Sequence, residues 1–188
     1  MSVTVNSGRL DKGIRSILHA VSRDYARPIL TCALFEGDSS GFRVVGADNY
    51  RIAIADLEVL GGEPEGFGRA AVPSEELNGI KWLLRRQPAS DVTLSHQDAR
   101  LTLTAGSRSL TVDLLDGTYP NYAELFVAAK PGPVMGLNPA YLTDVGRALR
   151  GQPVVRVEFR SALLPLIVTA GDDGEAYREA IMPVRIVS

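Results

Sequence analysis

Eight cations are the residues of this 188-residue chain best placed to do chemistry. Arg9, Lys12 and Arg15 lie off the apolar stripe of one expected helix, and Arg23 follows its end. Lys81 and Arg85 belong to a second expected helix, Arg147 and Arg150 to a third. A solvated face is the ordinary reading of cations spaced along helices; the repetition of the basic face hints at a surface the chain uses for contact. The side chains of covalent or acid–base catalysis are sparser. A nucleophile needs a base within reach, and that base needs an orienting group. His19 and His96 stand alone, on a helix and at a strand end. Glu75-Glu76 reads as a helix start, and Gly171-Asp172-Asp173-Gly174 as a turn without calcium-loop spacing. Cys32, the only cysteine, rules out an internal disulfide and a thiolate zinc cage, and reads as a small buried strand residue. No catalytic set, metal site or cofactor is expected, and the chain reads as a protein that acts by shape, not as an enzyme.

Three helices must position those cations, and the helices recur. They open near Ser7, Ser74 and Pro139, a period of 67 and then 65 residues, each after a short strand and before three more. Such a period argues for an assembled architecture over a single enzyme pocket. Leu10, Ile14, Ile17, Leu18 and Val21 form the first apolar stripe; Leu77, Ile80, Leu83 and Leu84 the second; Tyr141, Leu142, Val145 and Leu149 the third. Ser7 and Ser74 are expected N-caps, and Asn138-Pro139 a cap followed by proline at the first helical position. Strands are expected at Val3–Asn6, along ILTCALFEG, FRVVGAD and YRIAIADLEV, and at AAVP. DVTLSHQD, RLTLTAG and RSLTVDLL alternate with period two and predict an antiparallel meander with one solvated face. Val134–Leu137, PVVRVEFR, LPLIVTAG and AYREAIMPVRI complete the third unit. GGEPEGFG, residues 61–68, reads as a linker, and AAKPGP, 128–133, as a second break.

Composition narrows the class. Hydrophobic residues make up 45% and charged residues 22%, the balance of an ordinary globular protein. The net charge of −2 argues against a strongly basic nucleic-acid binder, but the three helices carry +4 between them, leaving −6 for the rest. No apolar run reaches the roughly 20 residues of a membrane span, and MSVTVNSGRLDKG turns polar too early for a signal peptide. A cytoplasmic location and no membrane partner are the expectations.

Several segments resemble the bacterial sliding clamp, the DNA polymerase III β subunit. RPILTCALFEG with FRVVGADNYRIAIA is similar to the first half of that family's second domain, and VPSEELNGIKWLL with LLDGTYPNY to its second half. LNPAYLTDVGRAL and the closing IMPVRI resemble the second half of the third domain. The resemblance implies an α+β DNA-clamp fold of repeated β-α-β-β-β units, with helices lining a ring and antiparallel sheets outside. Residues 1–127 would form one complete domain of two units, 1–60 and 69–127; 128–132 would be a linker, and 133–188 half of another domain. It also implies double-stranded DNA as a partner along the basic helices, and a processivity function without sequence specificity.

The same resemblance implies an apolar groove that receives short peptide motifs of a DNA polymerase and a clamp loader. Its residues would be Ala47, Asn49, Tyr50, Arg51 and Ile52 on one side, with Tyr50 narrowing it. Val127, Pro165, Ala180, Met182, Pro183, Val184 and Arg185 would form the other side, unless Ile52, Met182 and Pro183 merely pack a core. Departures from the pattern include Ala47 and Asn49 for Thr and Gly, and Val127 for Pro. A family chain has six units and this one has three. Half a domain leaves an open sheet edge and an uncovered apolar face, so a homo-oligomer is expected; four chains would supply the twelve units of a full ring. The rival expectation is a clamp-derived inhibitor or decoy that closes no ring; in either reading the chain is expected to be encoded by a bacterium or a phage.

Overall fold

The structure, a computed structural model, describes residues 1–87, 90–126, 134–171 and 177–186. Two compact units result, Met1–Glu124 and Leu125–Ser188. The expected linker 128–132, Val127 and the turn at Asp172–Gly174 lie outside the described residues.

The first unit holds two repeats that interlock. Strand β1 (Ser2–Asn6) leads into helix α1 (Ser7–Ile17), then β2 (Cys32–Asp38), β3 (Gly41–Ala47) and β4 (Ile52–Leu57). After β5 (Val59–Gly62) and the short α2 (Pro64–Phe67), β6 (Gly68–Pro73) leads into α3 (Leu77–Arg85), then β7 (Asp91–Gln97), β8 (Arg100–Ala105) and β9 (Arg108–Asp113). The leading strands change places. β1 pairs antiparallel with β7, Val5 opposite Val92 and Val3 opposite Leu94, while β6 pairs with β2, Val72 opposite Ala33. The sheets therefore run β5-β1-β7-β8-β9 and β4-β3-β2-β6, and neither repeat closes a sheet alone. The meander β7-β8-β9 has the antiparallel register its alternation predicts.

Both helices bury their apolar stripes in one core. Leu10, Ile14 and Ile17 of α1 and Leu77, Ile80, Leu83 and Leu84 of α3 pack with Val3, Phe35, Val44, Leu94 and Leu103. Each such side chain stabilises the fold by roughly 1.5–3 kcal/mol relative to exposure. A second cluster joins Leu30, Leu34, Val45 and Ala47 to Tyr119 and Tyr122.

Local chemistry corrects three expectations. Asn6, not Ser7, caps α1, its side chain accepting from the Arg9 N–H at 3.1 Å; Ser7 is inside the helix, buried, and donates to the Gln87 carbonyl. Ser74 does not cap α3, because an extra turn over Ser74–Glu76 delays the helix to Leu77. Residues 61–68 are not a linker: they carry the end of β5, all of α2 and the buried Phe67, whose ring meets Phe42 edge-on at 5.1 Å. The glycines of that stretch permit tight turns that composition alone misreads as irregular.

The second unit holds α4 (Pro139–Ala148) and a three-stranded antiparallel sheet, β10 (Arg156–Glu158), β11 (Leu166–Ala170) and β12 (Tyr177–Ile181). Asn138 caps α4, accepting from the Ala140 N–H at 3.0 Å, with Pro139 next as expected. Val145, Leu166, Val168 and Ile181 form its small core, against which Leu149 packs. Tyr141 and Leu142 are exposed, against expectation, because nothing among the described residues of the unit lies over them. Val134–Leu137 is no strand either; it makes one bridge, Gly136 to Val184. Among the described residues, no helix is long and apolar enough to cross a membrane.

Candidate DNA-facing helices and peptide groove

The buried stripes turn the cations of the first unit outward. Arg9, Lys12, Arg15 and Arg85 are exposed and Lys81 is half-buried. Between α1 and α3, which pack together, lies the buried carboxylate of Asp11. Arg15, one helical turn on, is ion-paired with it, and Arg85 Nε of α3 stands 4.0 Å from Asp11 Oδ1. One acid is thus bonded to a candidate phosphate ligand of its own repeat and lies at the limit of ion-pair reach from one of the other, its Oδ1 making no hydrogen bond among the described residues. Arg9 is paired with Glu58, and Arg147 of α4 with Asp144 at 3.2 Å. All these guanidinium groups are half or more exposed. Exposed pairs such as Arg9–Glu58 and Arg147–Asp144 are worth about 0–1 kcal/mol, so a phosphate can compete for them. Arg23 and Arg150 are exposed, with no ion pair among the described residues.

Two cations outside the expected set join this surface. Trp82 is half-exposed on α3, with the Arg86 guanidinium 4.8 Å and that of Arg108, on β9, 5.8 Å from its ring centroid. Arg86 lies one turn from Trp82, a signal present in the sequence; Arg108 becomes legible only once β9 is seen beside α3. Asp11 was equally legible as the i partner of Arg15 at i+4.

The first-unit groove residues form a rigid corner between β3 and β4. Asp48 accepts the Tyr50 N–H at 2.8 Å, the Arg51 N–H at 3.0 Å and Arg51 Nε at 2.9 Å. The Tyr50 N–H and then the Arg51 groups hold its carboxyl below the usual carboxylate range. Arg27 Nη1 donates to Asn49 Oδ1 at 3.0 Å. Tyr50, 95% exposed, stands into solvent. An open depression of about 720 Å³ is lined by Arg23, Asn49, Tyr50, Arg51 and His19, so one candidate DNA cation and three candidate groove residues share it. Ala47 is buried and Ile52 half-buried on the Tyr119–Tyr122 cluster, which gives both a packing role.

That cluster explains the GTYPNY segment. Buried Glu36 of β2 accepts from the Tyr122 hydroxyl and from Arg69 Nε at 2.5 Å, tying the segment to both repeats. Gly117 sits at φ +152°, where a Cβ would press Ile29 Cδ1 at 3.2 Å. Cys32, at the start of β2, is buried and its thiol is pushed up to about 11, chiefly by burial, so it stays protonated and unreactive near neutral pH. His96 donates from Nδ1 to the Phe67 carbonyl at 3.2 Å and packs on that ring, a structural role. Among the described residues, no three of His, Cys, Asp and Glu gather as metal ligands would.

In the second unit Met182 is 61% exposed, with Ala180, Val184 and Arg185 also exposed and Pro165 and Pro183 half-buried. Met182 therefore does not pack a core.

Comparison with known proteins agrees with this architecture. Residues 4–121 match the family profile of the DNA polymerase III beta subunit, central domain. The chain is 26% identical over 125 residues to the beta sliding clamp of Synechococcus elongatus, covering 66% of this chain and 33% of that one. It is 30% identical over 126 residues to the beta sliding clamp homolog GriR of Streptomyces muensis, covering 65% and 33%. Among solved structures, a sliding clamp of Pseudomonas aeruginosa bound to griselimycin superposes with a TM-score of 0.78 at 19% identity, over 97% of this chain and 50% of the other. The matches thus span a third of these curated relatives and half of the solved clamp.

Proposed function

Because the chain belongs to the DNA polymerase III β subunit family, the bacterial sliding clamps, we propose that it is a shortened clamp that holds duplex DNA without reading its sequence. The observation that carries this reading is the α1–α3 pair, whose apolar faces are buried together while Arg9, Lys12, Arg15 and Arg85 face outward. Phosphate contact through such groups is salt-dependent and indifferent to sequence, which is what sliding requires. Lys81 of α3 and Arg23 in the first unit, and Arg147 and Arg150 in the second, are further candidate phosphate contacts. The chain carries no chemistry of its own in this role; it is a tether. A polymerase, and a loader where one is needed, would dock by a short apolar peptide segment; the Asn49–Ile52 corner of the first unit and, separately, the Met182–Arg185 segment of the second are the candidate anchors, a few being enough for such recognition. Encirclement needs several copies, and four would supply the twelve units of a full ring.

The exposed apolar surface of the second unit favours a second reading, a clamp-derived protein that binds a full-length clamp and closes no ring. The two separate in a primer-extension assay on circular primed DNA with a bacterial replicative polymerase. A processivity factor lengthens the products. A decoy shortens those made with a full-length clamp and adds nothing alone, which would overturn the first reading.

A further inference from the structure

We propose that two copies of this chain complete each other's second unit by exchanging their 134–137 segments, so that two halves form one interlocked two-repeat domain. This goes beyond the proposed function in its mechanism, rests on the self-association part of that reading, and does not depend on DNA.

The template is the first unit of the same chain. There each leading strand crosses to the other repeat and pairs with the strand that follows the other helix, β1 with β7 and β6 with β2. β1 is flanked on its far edge by β5, the trailing strand of its own repeat, with Val3 opposite Gly62. The second unit repeats half of this arrangement. Its leading segment is bridged to its own trailing chain, Val184 N–H donating to the Gly136 carbonyl at 2.9 Å. The other edge of that segment has no strand beside it among the described residues, nor has the outer edge of β10. β10 is three residues long, where the equivalent β2 and β7 each have seven and lie inside their sheets.

The uncovered side chains are those the template buries. Through the 67- and 65-residue periods Leu142 is the equivalent of Leu10 and Leu77, both fully buried in the core that α1 and α3 share, yet Leu142 is 48% exposed. Val157 stands opposite buried Val168, on the core face of the sheet, and is 58% exposed. A second copy offers the same surface in return. An isologous two-fold contact satisfies both partners at once, and each unpaired strand edge gains a partner. Thr104-Ala105-Gly106 and Thr169-Ala170-Gly171 mark equivalent strand ends, and they set the register. Leu137 of one copy falls opposite Val155 of the other, and Met135 opposite Val157.

Two measurements on the whole chain test this. In light scattering the chain should have at least twice the mass of one copy, and Leu142→Arg should halve that mass without changing the melting of the first unit. In an oxidised mixture of the single variants Leu137→Cys and Val155→Cys, a covalent dimer should form that neither variant gives alone; Cys32 is buried and leaves the background low. A monomeric native chain would overturn both the exchange and self-association. An oligomer that keeps its mass in Leu142→Arg and gives no mixed disulfide would overturn the exchange alone.

Discussion

Asp11 is the residue on which the candidate DNA-facing surface turns. It is buried between two helices and shares its charge with Arg15 and Arg85. Asp11→Asn should change urea unfolding little, because the neutral amide removes both the pairing and the desolvation cost of a buried carboxylate whose Oδ1 makes no hydrogen bond among the described residues. It should also tighten DNA retention at low salt by releasing two cations; weaker retention would contradict a phosphate role for them. Charge reversal at Arg85 and Arg147 should weaken retention instead. At the β3–β4 corner, Asp48 has a depressed carboxyl pKa, so its contribution to the turn is complete above the ordinary carboxylate value and fades as pH falls through the lower folded one. The amide signals of Tyr50 and Arg51 should therefore hold steady from pH 7 to about pH 5 and move only in stronger acid. Movement near pH 6 would show that Asp48 does not hold the corner.

At the level of elements, periodicity in the chain announced all three long helices and most strands, since apolar spacing directly reports burial. It announced less well what covers what. The stripes of α1, α3 and α4 look alike as sequence, yet Leu77 is sealed and Leu142 is not, because coverage depends on a neighbouring repeat that periodicity cannot supply. Leu77→Ala should thus cost about 2–5 kcal/mol of stability. Leu142→Ala should leave the melting of the first unit unchanged and weaken association between copies; equal stability losses at both sites would contradict unequal coverage. The exchange of β1 and β6 between sheets was likewise invisible, since a strand's pattern marks its buried face and not its partner. The candidate DNA cations were legible as residues on the wrong side of an apolar stripe. Glu58 beside Arg9, Arg85 beside Asp11, and Arg108 beside Trp82 depend on neighbours brought in by folding.

At the scale of the whole molecule, the acidic total and basic helices suit the proposed tether: attraction at the helices, repulsion elsewhere. Binding that rests on phosphate contacts should lose affinity steeply with salt, with a slope of about −0.9 per phosphate neutralised. Removing Lys12 or Arg150 should flatten that slope by about one contact, whatever the DNA sequence. Topology tests the central claim most directly. The chain, with and without a bacterial clamp loader and ATP, should stay on nicked circular duplex through a high-salt wash and slide off once the circle is cut to a linear form. Equal loss from circular and linear DNA would contradict encirclement.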